Sequence, residues 1–189
     1  MKRPVVIIIV AVIAAAAGLL WWKRSNSPVL APADTGGKKL QGTLVAPVGF
    51  TPNEFTIVSH GESREVNADG TFTAAAYDAG VTMVAAMLRD KEFGLMNIVV
   101  TDEGVAIPEN VTIDTQTTAV ALVFATPQLM TSDPEQAKEI LAVITQDPKV
   151  AAFATIIGQV LQSDDPLAQP EYRQALQAAL ASVLATLNP

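Results

Sequence analysis

Residues 67–89 read NADGTFTAAAYDAGVTMVAAMLR, and two turn signals and one alternation in that stretch decide the fold. Asp69-Gly70 predicts a tight hairpin turn, because both residues tolerate positive φ and Thr71-Phe72-Thr73 resumes period-two alternation at once. Asp78-Ala79-Gly80 breaks the chain again before residues 81–89. In that last segment Val81, Met83, Ala85 and Met87 share one face, and Val84, Ala86 and Leu88 share the other. A strand apolar on both faces belongs in the middle of a sheet with both sides covered, here expected to be by helices that follow.

Outward from this stretch the same rhythm continues. His60-Gly61, Ala79-Gly80, Phe93-Gly94 and Glu103-Gly104 cut short runs of Val, Ile, Thr and Phe. Such spacing predicts a small antiparallel β-sandwich over residues 40–113. Its strands are expected near 40–46, 54–59, 63–67, 71–77, 81–89, 95–101 and 109–113.

Gly42-Thr43-Leu44, Pro47-Val48-Gly49-Phe50, Ala68-Asp69-Gly70-Thr71-Phe72 and Asp78-Ala79-Gly80 ahead of an apolar strand together resemble the carboxypeptidase regulatory-like (transthyretin-like) β-sandwich. The resemblance covers about seventy residues and rests on turn chemistry. Met83 departs from it, standing where that family has an aromatic residue. The resemblance implies a non-catalytic appendage of a secreted or surface protein; a fold does not carry a function with it.

Residues 114–189 change to a helical period. Asp133-Pro134, Asp147-Pro148 and Asp165-Pro166 punctuate them, and the first two are expected helix starts, since Asp caps free amides and Pro at the first helical position wastes no N–H. Asp133 with Gln136 approximates a capping box. Helices are expected at 116–125, 134–146, 148–162 and 171–187. Their apolar stripes, such as Phe153, Ile156, Ile157, Val160 and Leu161, are read as core faces rather than a ligand box. The stretch 117–124 followed by this helix resembles a helical appendage of uncharacterised bacterial surface proteins. The fold class is therefore α+β: an N-terminal transmembrane helix, a small antiparallel β-sandwich and a C-terminal helical region.

The transmembrane element is Val5 to Trp22, eighteen consecutive uncharged residues bordered by Lys2-Arg3 and Lys23-Arg24. As a helix it would measure roughly 27 Å, close to the roughly 30 Å hydrocarbon core of a bilayer. Ten of its positions are Val, Ile or Leu, each favouring insertion by about 0.3–0.6 kcal/mol. Trp21 and Trp22 fit an interfacial aromatic belt, and Lys23 and Arg24 mark the water boundary, so these four are the expected membrane-interface residues. The alternative is a cleaved secretion signal, but the run ends in bulky and cationic residues, and the first A-x-A triplet after it is Ala31-Pro32-Ala33. The expected organisation is an anchor at 1–24, a linker at 25–39, the β-sandwich at 40–113 and a helical domain at 114–189. An apolar segment at the extreme N-terminus, followed by a long body, is expected to leave the N-terminus in the cytoplasm and the body periplasmic or extracellular.

Residues 1–39 carry six Lys/Arg against Asp34 alone, and residues 40–189 carry six against eighteen Asp/Glu. That acidic body disfavours nucleic acid and anionic lipid and keeps the domain soluble. Chemistry is sparse. His60, the single histidine, sits in a turn, and no G-x-S-x-G elbow accompanies it. One histidine and no cysteine are too few for zinc, and no alternating acidic loop for calcium occurs. Asp102-Glu103, Asp164-Asp165 and Asp90/Glu92 are paired acids on loops, read as turns and caps. Asn110-Val111-Thr112 matches a glycosylation sequon, and Thr35-Gly36-Gly37-Lys38-Lys39 falls short of a phosphate loop. No catalytic, cofactor-binding or metal residue is therefore assigned. The expected role is a membrane-anchored, extracytoplasmic, non-catalytic binding or structural module of the cell envelope, with the lipid bilayer and a protein as partners. The alternative is a small hydrolase, or the front of a longer enzyme, working through acidic loop residues.

Overall fold

The structure is a computed structural model of the 189-residue chain and describes residues 38–188 other than 90 and 92. The expected membrane segment at 5–22, its border Trp21, Trp22, Lys23 and Arg24, and the acids Asp90 and Glu92 lie outside the described residues.

Among the described residues seven strands and four helices follow in the order expected for residues 40–189: β1 (Lys38–Leu44), β2 (Phe55–Ser59), β3 (Glu62–Glu65), β4 (Thr71–Ala76), β5 (Gly80–Leu88), β6 (Gly94–Thr101), β7 (Val111–Ile113), α1 (Thr115–Phe124), α2 (Pro134–Gln146), α3 (Pro148–Val160) and α4 (Pro170–Leu187). One sheet has the order β4-β1-β7 and the other β3-β2-β5-β6. All pairings are antiparallel except β1 with β7. Lys38 and Lys39, assigned to the linker by composition, already belong to β1, where they pair with Ala76 and Ala75.

Asp69-Gly70 is a tight turn of a different kind from the one expected. Gly70 N–H donates to Asn67 O at 2.9 Å, Asn67 N–H to Thr71 O at 2.9 Å, and Gly70 has φ +86°. Yet β3 and β4 lie in different sheets, so the turn is a corner between layers, with Val66 buried at its inner side. The two-residue hairpin is at His60-Gly61, which joins the Ser59 and Glu62 pair with φ of 52° and 78°. Positive φ at both central residues is the primed-turn geometry that matches strand twist.

The strand 81–89 is central, between β2 and β5's other neighbour β6, as its two apolar faces implied. Its covering differs from the expectation. Thr82, Val84, Ala86 and Leu88 are buried inside the sandwich, whereas Met83 on the other face is 44% exposed and Ala85 and Met87 are half-buried. The helices lie chiefly against β6 instead. The physical reason is that β6 is the edge of its sheet, with N–H and C=O groups to satisfy. Thr118, fully buried on α1, accepts from Met96 N–H at 2.9 Å, and Asn97 Nδ2 donates to Thr112 O of β7 at 2.7 Å. That side of the sandwich is closed by side chains and a helix.

The helix starts have the chemistry read from the sequence. Asp133 Oδ1 accepts from Gln136 N–H at 2.9 Å, and Asp147 Oδ1 from Lys149 N–H at 2.7 Å. The capping box at Asp133 does not close, because the Gln136 side chain accepts from Thr131 Oγ1 at 2.8 Å. A box forms at Asp114 with Thr117 instead. The third Asp-Pro step opens a short 3-10 turn, Pro166–Ala168, capped by Asp165. One hydrophobic cluster runs from Leu40 and Phe55 through Ala119 and Phe124 to Phe153 and Val183, so sheets and helices share a core. Lys91 joins the two parts from outside, donating to Leu161 O and Ser163 O at 2.7 Å each, at the C-terminal end of α3 where a cation is favoured.

Candidate functional site

The first residues to test are the acids and the histidine. Asp102 is an ion-pair partner of Lys138 at 2.5 Å, and Lys138 also meets Glu135 at 2.8 Å. These two carboxylates raise the Lys138 ammonium above its ordinary range, the Asp102 hydrogen bond contributing most. Glu103 stands exposed in the turn closed by Val105 N–H on Asp102 O. Asp165 caps the 3-10 turn and Asp164 is exposed beside it. Glu135 is the second carboxylate brought near Asp102, and the Lys138 ammonium stands between the two; among the described residues no group of three or more His, Cys, Asp or Glu is placed to hold a metal ion.

His60 has a definite neighbour. Its ring lies edge-on to Tyr77, with centroids 3.8 Å apart and planes at 66°. Ser59, next in sequence, does not face it as a nucleophile; it is buried and its hydroxyl donates to Ala75 O at 2.7 Å. Tyr77 itself is fixed through its backbone. Its N–H donates to Thr82 Oγ1 at 3.1 Å, and its carbonyl accepts from Thr101 Oγ1 at 2.9 Å, both threonines being buried. The chain therefore crosses from β4 to β5 on two buried hydroxyls, and the Tyr77 ring is left 53% exposed. Nothing in the sequence around Tyr77 marks it, since it reads there as the last residue of a strand; the buried threonines that hold it are five and twenty-four residues away.

A groove of about 510 Å³ opens between the turn at 47–50 and α3, lined by Pro47, Val48, Thr115, Thr155, Gly158 and Gln159 among others. Gln162 Nε2 donates to Val48 O at 3.1 Å and holds the turn against the helix. Its lining carries no ionisable side chain, so it offers no general acid, base or activated nucleophile. Asn110 of the sequon is exposed and its side chain accepts from Thr43 Oγ1 at 3.2 Å, while Thr112 lies in β7.

Comparison with known protein families, with curated proteins and with solved structures gives no match. Among the described residues no single helix is long and apolar enough to cross a membrane.

Proposed function

We propose that the chain is a membrane-anchored, extracytoplasmic module of the cell envelope that acts by contact and has no turnover of its own. The observation that carries this is the uncharged run Val5 to Trp22 with its Trp21-Trp22-Lys23-Arg24 border, beside a body of net acidic charge over residues 40–189. The anchor spans the plasma (inner) membrane once, with the N-terminus in the cytoplasm and residues 40–189 outside. The sandwich is of the carboxypeptidase regulatory-like kind, and it presents its surface to a protein partner. What supports the contact role is the engagement of the candidate acids: Asp102 in an ion pair and Asp165 in a cap, with an uncharged groove elsewhere.

Two fractionations test the proposal. After an alkaline carbonate wash the intact chain is expected in the membrane pellet; release, or a mature N-terminus at Asp34, refutes the anchor. A protease added outside an intact inner membrane is expected to degrade the body, and full protection inverts the orientation.

A further inference from the structure

The chain enters the body at Lys38, the first residue of β1, and so defines one end of the sandwich. The register places Ala76 opposite Lys38 and Thr101 opposite Gly80, so the turn after β4 and the turn after β6 lie at that same end. Lys38 Nζ donates to Val105 O at 3.0 Å, which confirms the neighbourhood. Val48 marks the opposite end, beyond Leu44.

Two of the six large hydrophobic side chains most exposed in the body stand at the Lys38 end: Tyr77 and Val105, at 53% and 52%. The Tyr77 backbone is held there by the buried hydroxyls of Thr82 and Thr101, and its ring packs against that of His60, a turn residue with φ +52°. An exposed aromatic ring on a fixed backbone, packed against a second ring, has less conformational entropy to lose on contact. The charges near it almost balance: Lys138 is paired with Asp102 and Glu135, Arg64 is paired with Glu62, and Lys38 and Lys39 share this end with Asp78 and Glu103, four cations to five carboxylates. Little of the acidic excess of the body therefore falls on this end.

Lys38 follows Trp22 by sixteen chain steps, so the Lys38 end can stand no further than about 55 Å from the interfacial tryptophans. A tethered surface needs only weak affinity, because the tether raises its effective concentration at the bilayer. We propose that the Lys38 end of the sandwich docks on a zwitterionic phospholipid surface, with the Tyr77 ring and Val105 as its apolar contacts. Tyrosine suits this position because its ring enters the headgroup level while its hydroxyl stays wet. The docking rests on the membrane reading above and fixes how the body stands: β1 runs away from the bilayer, and the turn at 47–50 and its groove are presented outward.

The chain has no cysteine, so a single spin label can be placed in the full-length protein by Ala79→Cys, beside Tyr77, or by Val48→Cys at the far end. The protein is reconstituted in phosphatidylcholine vesicles and floated on a density gradient. In the floated fraction the label at 79 is expected to collide several-fold less with a water-soluble nickel chelate than the label at 48, and more with dioxygen, which partitions into lipid. Tyr77→Ser with Val105→Ser should abolish the difference, while Tyr77→Phe should keep it. A chain that does not float refutes both the anchor and the docking. A chain that floats with equal chelate collisions at 79 and 48 refutes the docking alone. Protection at 79 from both chelate and dioxygen, or protection that survives the double substitution, means protein covers Tyr77, and this too overturns the proposal.

Discussion

Gly61 and Gly70 both have positive φ, but only one of them is confined. A Cβ at Gly61 would meet nothing within 4 Å, whereas at Gly70 it would stand 2.6 Å from the backbone carbonyl oxygen of Leu44. Gly61→Ala should therefore cost only the left-handed conformation, about 1–2 kcal/mol. Gly70→Ala should cost about 3 kcal/mol or more, since a backbone oxygen in the sandwich cannot give way. At roughly 2–4 °C per kcal/mol for a body of this size, the two variants should separate clearly in thermal melts of the chain from Thr35 onward. Equal melting temperatures would mean that Leu44 does not constrain the corner. The same corner makes stability pH-dependent. Asp69 accepts from Thr71 Oγ1 at 2.7 Å and Thr71 N–H at 3.0 Å, and these bonds lower its carboxyl below the ordinary 3.8. Glu54 is lowered below its ordinary 4.5 by the Thr51 backbone and hydroxyl. A carboxylate with a depressed folded-state pKa stabilises above its unfolded value, and the contribution disappears as pH falls through the folded one. The melting temperature is thus expected to fall on acidification from about pH 4.5 downward. Asp69→Asn should flatten the lowest part of that limb, and an unchanged pH profile would dismiss the turn carboxylate as a contributor.

At the scale of elements, one buried hydroxyl hydrogen-bonds the edge of the sheet to the helices that share its core. Thr118 is completely buried on α1 and accepts from the Met96 N–H at the edge of β6. Thr118→Val keeps the shape and removes the acceptor, leaving a buried N–H without a partner, a loss of about 1–3 kcal/mol. Thr186→Val on α4, where the hydroxyl is exposed and bonds back to Ser182 O, should stay within about 0.5 kcal/mol. Urea unfolding midpoints of the two variants decide the matter; matching shifts would show that the edge of β6 is satisfied in another way. This join also marks where the sequence stops being legible. Strand and helix positions could be read because turn residues and Asp-Pro caps are local signals: Pro134–Gln146 has the predicted bounds and the seven strands fall within a few residues of theirs. Which sheet a strand joins is not local. The pattern at Asp69-Gly70 is the same for a hairpin and for a corner, and only the partners of β4 across the molecule distinguish them. The exposed Tyr77 escaped for the same reason, its supports lying elsewhere in the chain.

At the scale of the whole molecule, the helices complete the sandwich rather than accompany it. Ala119, Val120, Ala121, Val123 and Phe124 of α1 are all buried, so this helix has no solvent side of consequence and lies between β6 on one flank and α3 on the other. A helix apolar around most of its circumference is a core element. Around it Ile144, Phe153, Ile157 and Val183 complete the same cluster that contains Leu40, Phe55 and Leu95 of the strands. Removing residues 114–189 would uncover the edge of β6, strip Met96 of its partner on Thr118 and expose a broad apolar surface, the condition that drives association. A chain of residues 35–113 is therefore expected to aggregate, or to unfold without a cooperative transition, where the chain of residues 35–189 unfolds in one. By contrast, Asp102→Asn with Glu103→Gln removes one exposed ion pair and one free surface charge, and should leave both the folding and any cellular phenotype intact. Complementation of a null strain by the truncation and by the acid-pair variant, side by side at equal protein level, separates the two kinds of function. Loss with the truncation alone fits a surface that must be held in shape. Loss with the acid pair, in a protein that still melts normally, would replace the contact role by acid chemistry at the loop after β6.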